Sequence, residues 1–297
     1  PLTSFSSSTI EFSMLRLDKL HPIVSGNKWY KLRFYIQAAL DQSFNTIASF
    51  GGPYSNHLVA LAFTAKQNNL KSIGYVRSNI NEPITPTLQE AVAYGMQLEF
   101  IGRTHFQAIK NELLEKNKYK ADRYFIDEGG YGVLGAQGAS SIHSANDISS
   151  FDTLICAVGT GTMLAGLING AAAHQQLIGI PILKNANTIE KEINHLILNK
   201  QTPWSLLHQF DQGGYAKTNP ALIQFMNELW TLEKIPTDIV YTGKLLFAVK
   251  KLLQENYFKP NSKIVIIHSG GLQGNRSLPS EPCFIKLARF IKSILFN

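Results

Sequence analysis

Residues 153–166, TLICAVGTGTMLAG, decide the fold of this chain. The first six residues form a short apolar run, which predicts a buried strand from Thr153 to Val158. Gly159-Thr160-Gly161-Thr162 then predicts a tight turn, and the apolar residues after it predict a helix. A strand, a glycine turn and a helix in this order bring free backbone N–H groups and the positive end of a helix dipole to one point. Such a point is suited to bind a phosphate group.

The pattern around this turn differs from those that bind dinucleotides or ATP. A dinucleotide-binding fold needs a third glycine, and Leu164 stands at that position. It also needs an acidic residue after the next strand, where residues 180–184 read IPILK. A P-loop needs a Gly-Lys-Ser/Thr triplet after the loop, which this turn lacks. A nucleotide-dependent oxidoreductase is therefore an alternative that the sequence disfavours.

Short apolar runs and amphipathic stretches alternate along the rest of the chain. Further strands are predicted at residues 46–50, 72–76, 98–102, 123–126, 177–182, 238–241 and 263–268. Helices are predicted at residues 31–40, 57–68, 87–94, 106–116, 164–174, 189–198, 221–232 and 286–295. This alternation predicts an α/β fold with parallel sheets flanked by helices. Since four strands come early and four late, we expect two sheets, with an active site at the carboxyl ends of their strands.

The composition is that of a folded protein. Of the 297 residues, 44% are hydrophobic and 16% are charged, which argues against a disordered chain. No apolar run reaches the roughly 20 residues that a membrane-spanning helix needs, so no membrane partner is expected. The first residues, PLTSFSSSTIEF, lack the basic and then apolar pattern of a signal peptide, and a cytoplasmic location is expected.

The number of cysteines and the net charge further limit the kinds of bond and binding partner that are expected. Cys156 and Cys283 are too few for a disulfide framework, and both are expected to be free thiols. The net charge is +7, but the lysines and arginines are scattered along the chain instead of forming one stripe. We therefore expect no nucleic-acid partner, and the surplus charge is suited to attract anionic small molecules. No metal site is expected.

A lysine near the N-terminus stands in a setting that favours chemistry. Residues 25–32 read SGNKWYKL, and Lys28 opens a predicted helix with the aromatic residues Trp29 and Tyr30 directly after it. An apolar pocket would lower the pKa of this lysine and make it a nucleophile for carbonyl groups. Lys31 lies one turn further on the same face of the helix. A solvated lysine at the start of a helix is the plain alternative.

Two more glycine turns and two tyrosines complete the set of candidates. The turns follow predicted strands in residues 49–57, SFGGPYSNH, and 268–274, HSGGLQG. Tyr215 falls in a predicted loop, and Tyr241 ends a predicted strand. Each feature alone also fits an ordinary structural role, either a tight turn or a half-buried tyrosine.

Six motifs in one order give the chain a family resemblance. They cover residues 25 to 274 and read GNKWYKL, GGPYSNH, GTGTMLAG, GGYAK, VYTGK and HSGG. In this order they resemble the pyridoxal 5'-phosphate (PLP) enzymes of the tryptophan synthase β-like fold, called fold type II. Within that fold they resemble the 1-aminocyclopropane-1-carboxylate (ACC) deaminase and D-cysteine desulfhydrase family. The resemblance implies a two-domain enzyme with PLP as its cofactor and a small amino acid as its substrate.

The resemblance also implies roles for individual residues. On the cofactor side, Lys28 resembles the Schiff-base lysine, Lys31 a lysine that reaches the phosphate, and Asn56 the asparagine bound to the ring hydroxyl. The family's phosphate-binding turn, its phosphate cup, is matched in this chain by residues Gly159, Thr160, Gly161 and Thr162. On the substrate side, the resemblance implies catalytic roles for Ser55, Tyr215 and Tyr241.

Two positions near the pyridine nitrogen separate the branches of this family. The ACC deaminases carry a glutamate where this chain has Thr242 and a leucine where it has Ser269. The desulfhydrase branch carries hydroxyl residues at both, so the chain resembles that branch more closely. A carboxylate would hold the ring nitrogen protonated, whereas a hydroxyl supports a neutral nitrogen. The commoner version of the first glycine turn carries a glutamine, so Tyr54 is expected to reshape the substrate pocket.

The function implied is a PLP-dependent lyase or deaminase, most closely a D-cysteine desulfhydrase that forms pyruvate, sulfide and ammonia. Because the last step adds water, the enzyme is also expected to class as a hydrolase. ACC deaminase, which forms 2-oxobutyrate and ammonia, is the first alternative, and another D-amino acid such as D-serine remains open as substrate. A non-catalytic protein that binds PLP or amino acids is a further alternative, disfavoured because Lys28, Ser55 and both tyrosines are present.

The resemblance divides the chain into two domains. Residues 32–137 are expected to form a smaller α/β domain, inserted into a larger PLP-binding domain made of residues 1–31 and 138–297. Relatives of this kind are commonly homodimers, and a homodimer is left open for this chain.

Overall fold

The computed structural model of the chain is an α/β structure with two parallel sheets. It describes residues 1–7, 9–79, 82–117, 122–184, 188–198 and 201–278. Strands β1 to β9 are Glu11–Arg16, Thr46–Gly51, Lys71–Arg77, Met96–Ile101, Tyr124–Ile126, Thr153–Val158, Gln176–Pro181, Trp204–Leu206 and Lys263–His268. Helices α1 to α9 are Asn27–Asp41, Asn56–Gln67, Pro86–Ala93, Phe106–Asn117, Val133–Ala145, Thr162–Gly170, Ile189–Leu196, Pro220–Glu233 and Thr242–Gln254.

Both sheets are parallel throughout their described strands. One has the strand order β4-β3-β2-β5, and the other has the order β1-β9-β6-β7-β8. Every ladder between neighbouring strands is parallel. The predicted α/β class is confirmed. In a parallel sheet all carboxyl ends lie at one edge, so the turns after β2, β6 and β9 are brought to such edges.

Glycines let the helix that carries the two candidate lysines approach the rest of the molecule. Helix α1 packs on α5, where a Cβ on Gly138 would lie 2.2 Å from the Tyr30 carbonyl oxygen. Just before α1, Gly26 has φ +66°, and a Cβ there would lie 1.8 Å from the Ser269 carbonyl oxygen. No other residue fits this contact with its backbone unchanged. The start of α1 is thus fixed against the turn that follows β9.

One predicted strand is wrong, at residues 238–241, which form a turn before α9. There, the carboxylate of Asp238 accepts hydrogen bonds from backbone amides that would otherwise donate to a neighbouring strand. Its Oδ1 accepts hydrogen bonds from the Val240 and Tyr241 amides at 2.8 and 2.7 Å, and its Oδ2 accepts one from Thr242 N at 3.0 Å. Tyr241 therefore caps the start of α9 and does not end a strand.

Among the described strands and α-helices, four were not predicted from the sequence: β1, β8, α5 and α9. The other strands and helices predicted within the described residues are found, with ends that differ by a few residues. The predicted helix 286–295 and Cys283 lie outside the described residues, while Cys156 is a buried free thiol in β6. Helices α1 and α5 run across the predicted domain boundaries at residues 32 and 137, and the division into domains remains a prediction. Within the described ranges, no helix is both long and apolar enough to cross a membrane.

Candidate active site

A cavity of about 740 Å³ lies at the carboxyl ends of strands from both sheets. From the four-stranded sheet it is lined by residues that end or follow β2, β3 and β5, namely Gly52, Arg77 and Glu128. From the five-stranded sheet it is lined by the turns after β6 and β9. The volume lies within the range of small-molecule and cofactor sites. Its position is the one expected for an active site in parallel sheets.

A second, smaller cavity of about 50 Å³ adjoins the first. The two share the walls formed by Lys28, Gly159, Thr160, Tyr241 and Ser269. The smaller one adds Lys31 and Gly161. The structure therefore gathers most of the candidate residues around one continuous space, although they come from six separate motifs.

Lys28 faces both cavities from the first turn of α1. Its Nζ donates a hydrogen bond to Asn27 Oδ1 at 2.8 Å. Burial of the ammonium lowers the pKa of Lys28 to about 8, because the charged form is poorly solvated there. About a tenth of this side chain is thus the neutral amine at pH 7, and this is the form that attacks a carbonyl carbon.

Lys31 is a second buried cation beside Lys28. Only 3% of its surface is exposed, and within the described ranges no carboxylate pairs with it. Burial, and then the charge of Lys28, hold the pKa of Lys31 well below its usual value. Such a lysine regains its proton when an anion binds beside it, so the small cavity is suited to an anionic group.

The turn after β6 offers this anion a set of donors. Gly161 has φ +78° and precedes α6, whose first turn no side chain caps. A Cβ at this glycine would lie 2.5 Å from Ile193 Cγ1, so the position has no room for a side chain. The hydroxyls of Thr160 and Thr162 lie 3.0 Å apart and form a hydrogen bond in which either oxygen can be the donor. Open N–H groups, hydroxyls and a nearby lysine form a chemical set that suits a phosphate.

Ser55 and Asn56 begin α2 on the opposite side of the large cavity. Ser55 caps the helix, since its Oγ accepts a hydrogen bond from Leu58 N at 3.2 Å. Asn56 Nδ2 donates to the Gly271 carbonyl oxygen at 3.3 Å, while its buried Oδ1 has no partner in the part of the chain described. A buried acceptor without a partner is costly, and here it is available to a ligand hydroxyl.

Tyr215 and Tyr241 stand together at the cavity wall. Their ring centroids are 6.4 Å apart, with the planes at 79°. Burial raises the pKa of both phenols, that of Tyr241 well above its usual value. Both are therefore protonated at neutral pH and are available as hydrogen-bond or proton donors.

The structure separates the two hydroxyl positions that distinguish the family branches. Ser269 lines both cavities beside Lys28. Thr242 lines neither, and its buried Oγ1 donates a hydrogen bond to Asp238 Oδ2 at 2.6 Å. Tyr54 does not line the large cavity either, contrary to the expectation that it reshapes the substrate pocket. Of these three residues, the structure brings only Ser269 to the site.

His57 is a site residue that the sequence reasoning missed. Its Nε2 lies 2.8 Å from Ser49 Oγ, which donates to the Ile126 carbonyl oxygen at 2.8 Å. The ring must therefore donate from Nε2, and its buried Nδ1 is left as an acceptor. Burial, with the charges of Lys28 and Lys31, holds the pKa of His57 well below its usual value. His57 ends the motif GGPYSNH, and this position is the sequence feature that could have identified it.

Lys244 was also missed, although it ends the motif VYTGK. This fully buried lysine reaches from α9 to the loop that carries Tyr215. Its Nζ donates hydrogen bonds to the carbonyl oxygens of Asp211, at 2.8 Å, and Gly214. Burial lowers the pKa of Lys244 to about 8. One helix thus holds Tyr241 directly and Tyr215 through this lysine.

Comparisons with known proteins agree with this geometry. Residues 8–270 match the family model described as pyridoxal-phosphate dependent enzyme. A Thermotoga maritima protein, provisionally named 1-aminocyclopropane-1-carboxylate deaminase, is 25% identical and covers 88% of each chain. The bifunctional, mitochondrial D-cysteine desulfhydrase/1-aminocyclopropane-1-carboxylate deaminase of Arabidopsis thaliana is 24% identical, covering 84% of this chain and 70% of its own.

A solved structure supports the fold. A crystal structure described as an ACC deaminase homologue has a TM-score of 0.76 and 22% identity, and it covers 89% of this chain and 85% of its own. The names of the curated relatives indicate lyase-type reactions, so the expectation of a hydrolase is wrong. The Arabidopsis relative is named as mitochondrial, and a cytoplasmic location for this chain remains a prediction.

Proposed function

The chain belongs to the family of pyridoxal-phosphate dependent enzymes, and on that premise we propose that it is a lyase or deaminase acting on D-cysteine. The proposed products are pyruvate, sulfide and ammonia. The cofactor is PLP, as in this family, and the resemblance to the ACC deaminase and D-cysteine desulfhydrase family is confirmed. The choice of substrate and of reaction is the proposal.

The residues present fit this cofactor. Lys28 supplies an amine of lowered pKa for the aldehyde. The turn Gly159–Thr162 and the buried Lys31 supply donors and a positive charge for the phosphate. Asn56 Oδ1, buried without a partner among the described residues, is available to the ring hydroxyl. Of these groups, the buried Asn56 Oδ1 has a hydrogen-bonding requirement that the described residues leave unmet, and no carboxylate among those residues neutralises the buried Lys31.

We propose that Lys28 moves the proton of the reaction. When bound, PLP draws electrons from the α-carbon of the substrate. Lys28 Nζ takes the α-proton, because its pKa of about 8 leaves a neutral amine available near neutral pH. The bond from Cβ to sulfur breaks and its electron pair leaves with sulfur. With one water taken up in the release of pyruvate, D-cysteine is fully converted to pyruvate, sulfide and ammonia.

We propose that the hydroxyls of the large cavity orient the substrate and assist the leaving group. Ser55 lies at the first turn of α2, next to open backbone N–H groups that favour a carboxylate. Tyr215 and Tyr241 are both protonated, and either phenol can donate a proton to the departing sulfur. Which of the two does so is left open.

One observation favours the desulfhydrase reaction over the opening of a cyclopropane. The wall beside Lys28 that is built by Tyr241 and Ser269 carries hydroxyl groups and, within the described ranges, no carboxylate. A hydroxyl near the ring nitrogen supports a neutral nitrogen and a weaker pull on electrons. Elimination of sulfide needs only removal of an α-proton and a good leaving group, whereas ACC has no α-hydrogen.

ACC deaminase is the second candidate. It is favoured by the names of the curated relatives, of which the Thermotoga protein is named for that activity alone. In that case the products are 2-oxobutyrate and ammonia.

Product analysis tests the proposal. Purified protein loaded with PLP is incubated in parallel with D-cysteine, L-cysteine and ACC, and sulfide, pyruvate and 2-oxobutyrate are measured. The proposal predicts sulfide and pyruvate from D-cysteine and no 2-oxobutyrate from ACC. Turnover of ACC without sulfide release from D-cysteine would replace the proposal with the second candidate. The same assay is run on a Lys28→Ala variant. Its control is Lys66→Ala, because Lys66 is an exposed lysine of α2.

A further inference from the structure

Three neighbouring strands bring an arginine and a glutamate to one side of the large cavity. The strand order β3-β2-β5 places Arg77, Gly52 and Glu128 along one edge of the sheet. All three line the cavity. A Cβ on Gly52 would lie 3.9 Å from Arg77 Nη2, so the guanidinium rests against the glycine turn that leads to Ser55.

The arginine is poorly partnered compared with the other cations of this cavity. Lys110 pairs with Asp127 at 2.6 Å, and Lys28 donates to Asn27 at 2.8 Å. The carboxylate nearest to Arg77 Nη2 is that of Glu128, at 3.9 Å, and within the described ranges the guanidinium has no hydrogen-bond acceptor. The guanidinium also lies over the Phe106 ring, whose centroid is 5.3 Å from Cζ.

A ligand carboxylate can readily replace Glu128 as the partner of Arg77. The side chains of Arg77 and Glu128 are 45% and 31% exposed, and a long, partly exposed ion pair contributes little to stability. A guanidinium presents a planar fork of donors that a carboxylate can accept in a bidentate way. The ring of Phe106 holds the fork in place. The cavity thus contains a positioned cation whose donors are available to a ligand.

We propose that Arg77 binds a second carboxylate on the substrate, carried by the group that leaves from Cβ. The substrate class is a β-substituted amino acid with an anionic leaving group, such as a thioether that ends in a carboxylate. Glu128 is then the resting partner of Arg77, released when the substrate carboxylate binds. This inference rests on the proposed elimination reaction, and it places the α-carboxylate elsewhere, near Ser55 and the first turn of α2.

The chemistry balances with one water as the additional reactant. The α-proton goes to Lys28 Nζ, the bond from Cβ to sulfur breaks, and the thiolate leaves with the electron pair. With S-carboxymethyl-D-cysteine the products, after uptake of one water, are pyruvate, ammonia and thioglycolate.

Two compounds of the same shape test the charge requirement. S-carboxymethyl-D-cysteine ends in a carboxylate, and S-carbamoylmethyl-D-cysteine ends in an uncharged amide. We measure kcat/KM for pyruvate formation and the apparent Kd from the absorbance change of the bound cofactor. The proteins are the wild type, Arg77→Gln and Arg103→Gln. Arg103 is the matched control, since it pairs with Glu82 on the surface and lies outside the cavity.

For the wild type, kcat/KM for the carboxylate compound is expected to exceed kcat/KM for the amide compound by about tenfold. This preference is the size expected from one charge-assisted ion pair. Arg77→Gln should lose this preference, whereas Arg103→Gln should keep both the preference and the wild-type turnover of D-cysteine. Glu128→Gln should increase the preference, because Arg77 loses its competing partner.

Three results would overturn the proposal. The first is a wild type without preference, or one that binds neither compound. The second is a preference that survives Arg77→Gln. The third is an equal loss for all substrates, D-cysteine included, which would place the α-carboxylate on Arg77. If no compound releases pyruvate, the elimination proposal fails, but the ratio of the two Kd values still tests Arg77.

Discussion

The two sides of the cavity are built in different ways. On the cofactor side, defined here as Lys28, Lys31, Ser269 and the turn Gly159–Thr162, the positions are fixed by buried groups and by glycines that leave no space. On the substrate side, defined as Gly52, Ser55, Arg77 and Glu128, partly exposed charges make long contacts. A rigid cofactor side suits one invariant ligand, whereas loosely paired charges allow the substrate to change within one family.

The largest expected effect concerns the cofactor side. In the proposed mechanism, Lys28→Ala removes both the amine for the aldehyde and the base, so turnover of D-cysteine should fall by about a thousandfold or more. The measurement is sulfide release by the PLP-treated variant. Lys66→Ala should retain wild-type turnover, and a Lys28→Ala protein with full activity would remove Lys28 from the mechanism.

The second effect tests how rigid the cofactor side is. Gly161→Ala should lower the free energy of unfolding by about 2–4 kcal/mol, from a positive φ and a collision with Ile193, and should weaken PLP binding. Gly95→Ala is the matched control, since Gly95 has φ +92° with nothing within 4 Å of the added Cβ, and should cost about 1 kcal/mol. Denaturant unfolding measures both. Equal losses would mean that the turn adapts to a side chain.

The third effect is a pH dependence of cofactor capture. Burial lowers the pKa of Lys28 to about 8, and the neutral amine is the reactive form. The rate of PLP binding by the cofactor-free protein should therefore rise about tenfold between pH 7 and 9, with its midpoint near pH 8, and then level off. Stopped-flow absorbance follows the rate. A rate that continues to rise to pH 10 would indicate a lysine of ordinary pKa.

The smallest effect lies between the two sides, at the loop of Tyr215. Lys244→Met removes the two hydrogen bonds that hold this loop, and kcat for D-cysteine should fall several-fold with PLP affinity unchanged. Lys244→Arg should restore part of kcat if the carbonyl oxygens are the contact that counts. A parallel loss of PLP binding would show that Lys244 supports the fold as a whole and not the loop.

The sequence marks the residues of the proposed cofactor side more directly than those of the proposed substrate side. The motifs around Lys28 and Gly159–Thr162 are short and continuous, so their spacing carries their geometry. Arg77 and Glu128 come from two strand ends far apart in the chain, and only the strand order β3-β2-β5 brings them together. No local pattern marks either residue as part of a site.

The errors in the fold have physical causes as well. The residues from Asp238 to Tyr241 have the apolar pattern of a strand, but the Asp238 carboxylate binds the amides that a sheet would need. Helix α5 was missed because glycines such as Gly138 weaken the helical signal, although they are what allows α1 to pack so closely.

The most direct test of the account is the site of cofactor attachment. The PLP-loaded protein is reduced with borohydride, digested and analysed by mass spectrometry, with absorbance recorded before and after reduction. The account predicts a near-visible band that disappears on reduction, with the cofactor mass on the peptide that contains Lys28. Label on Lys31 or on any other lysine, or a protein that acquires no band with PLP, would contradict it.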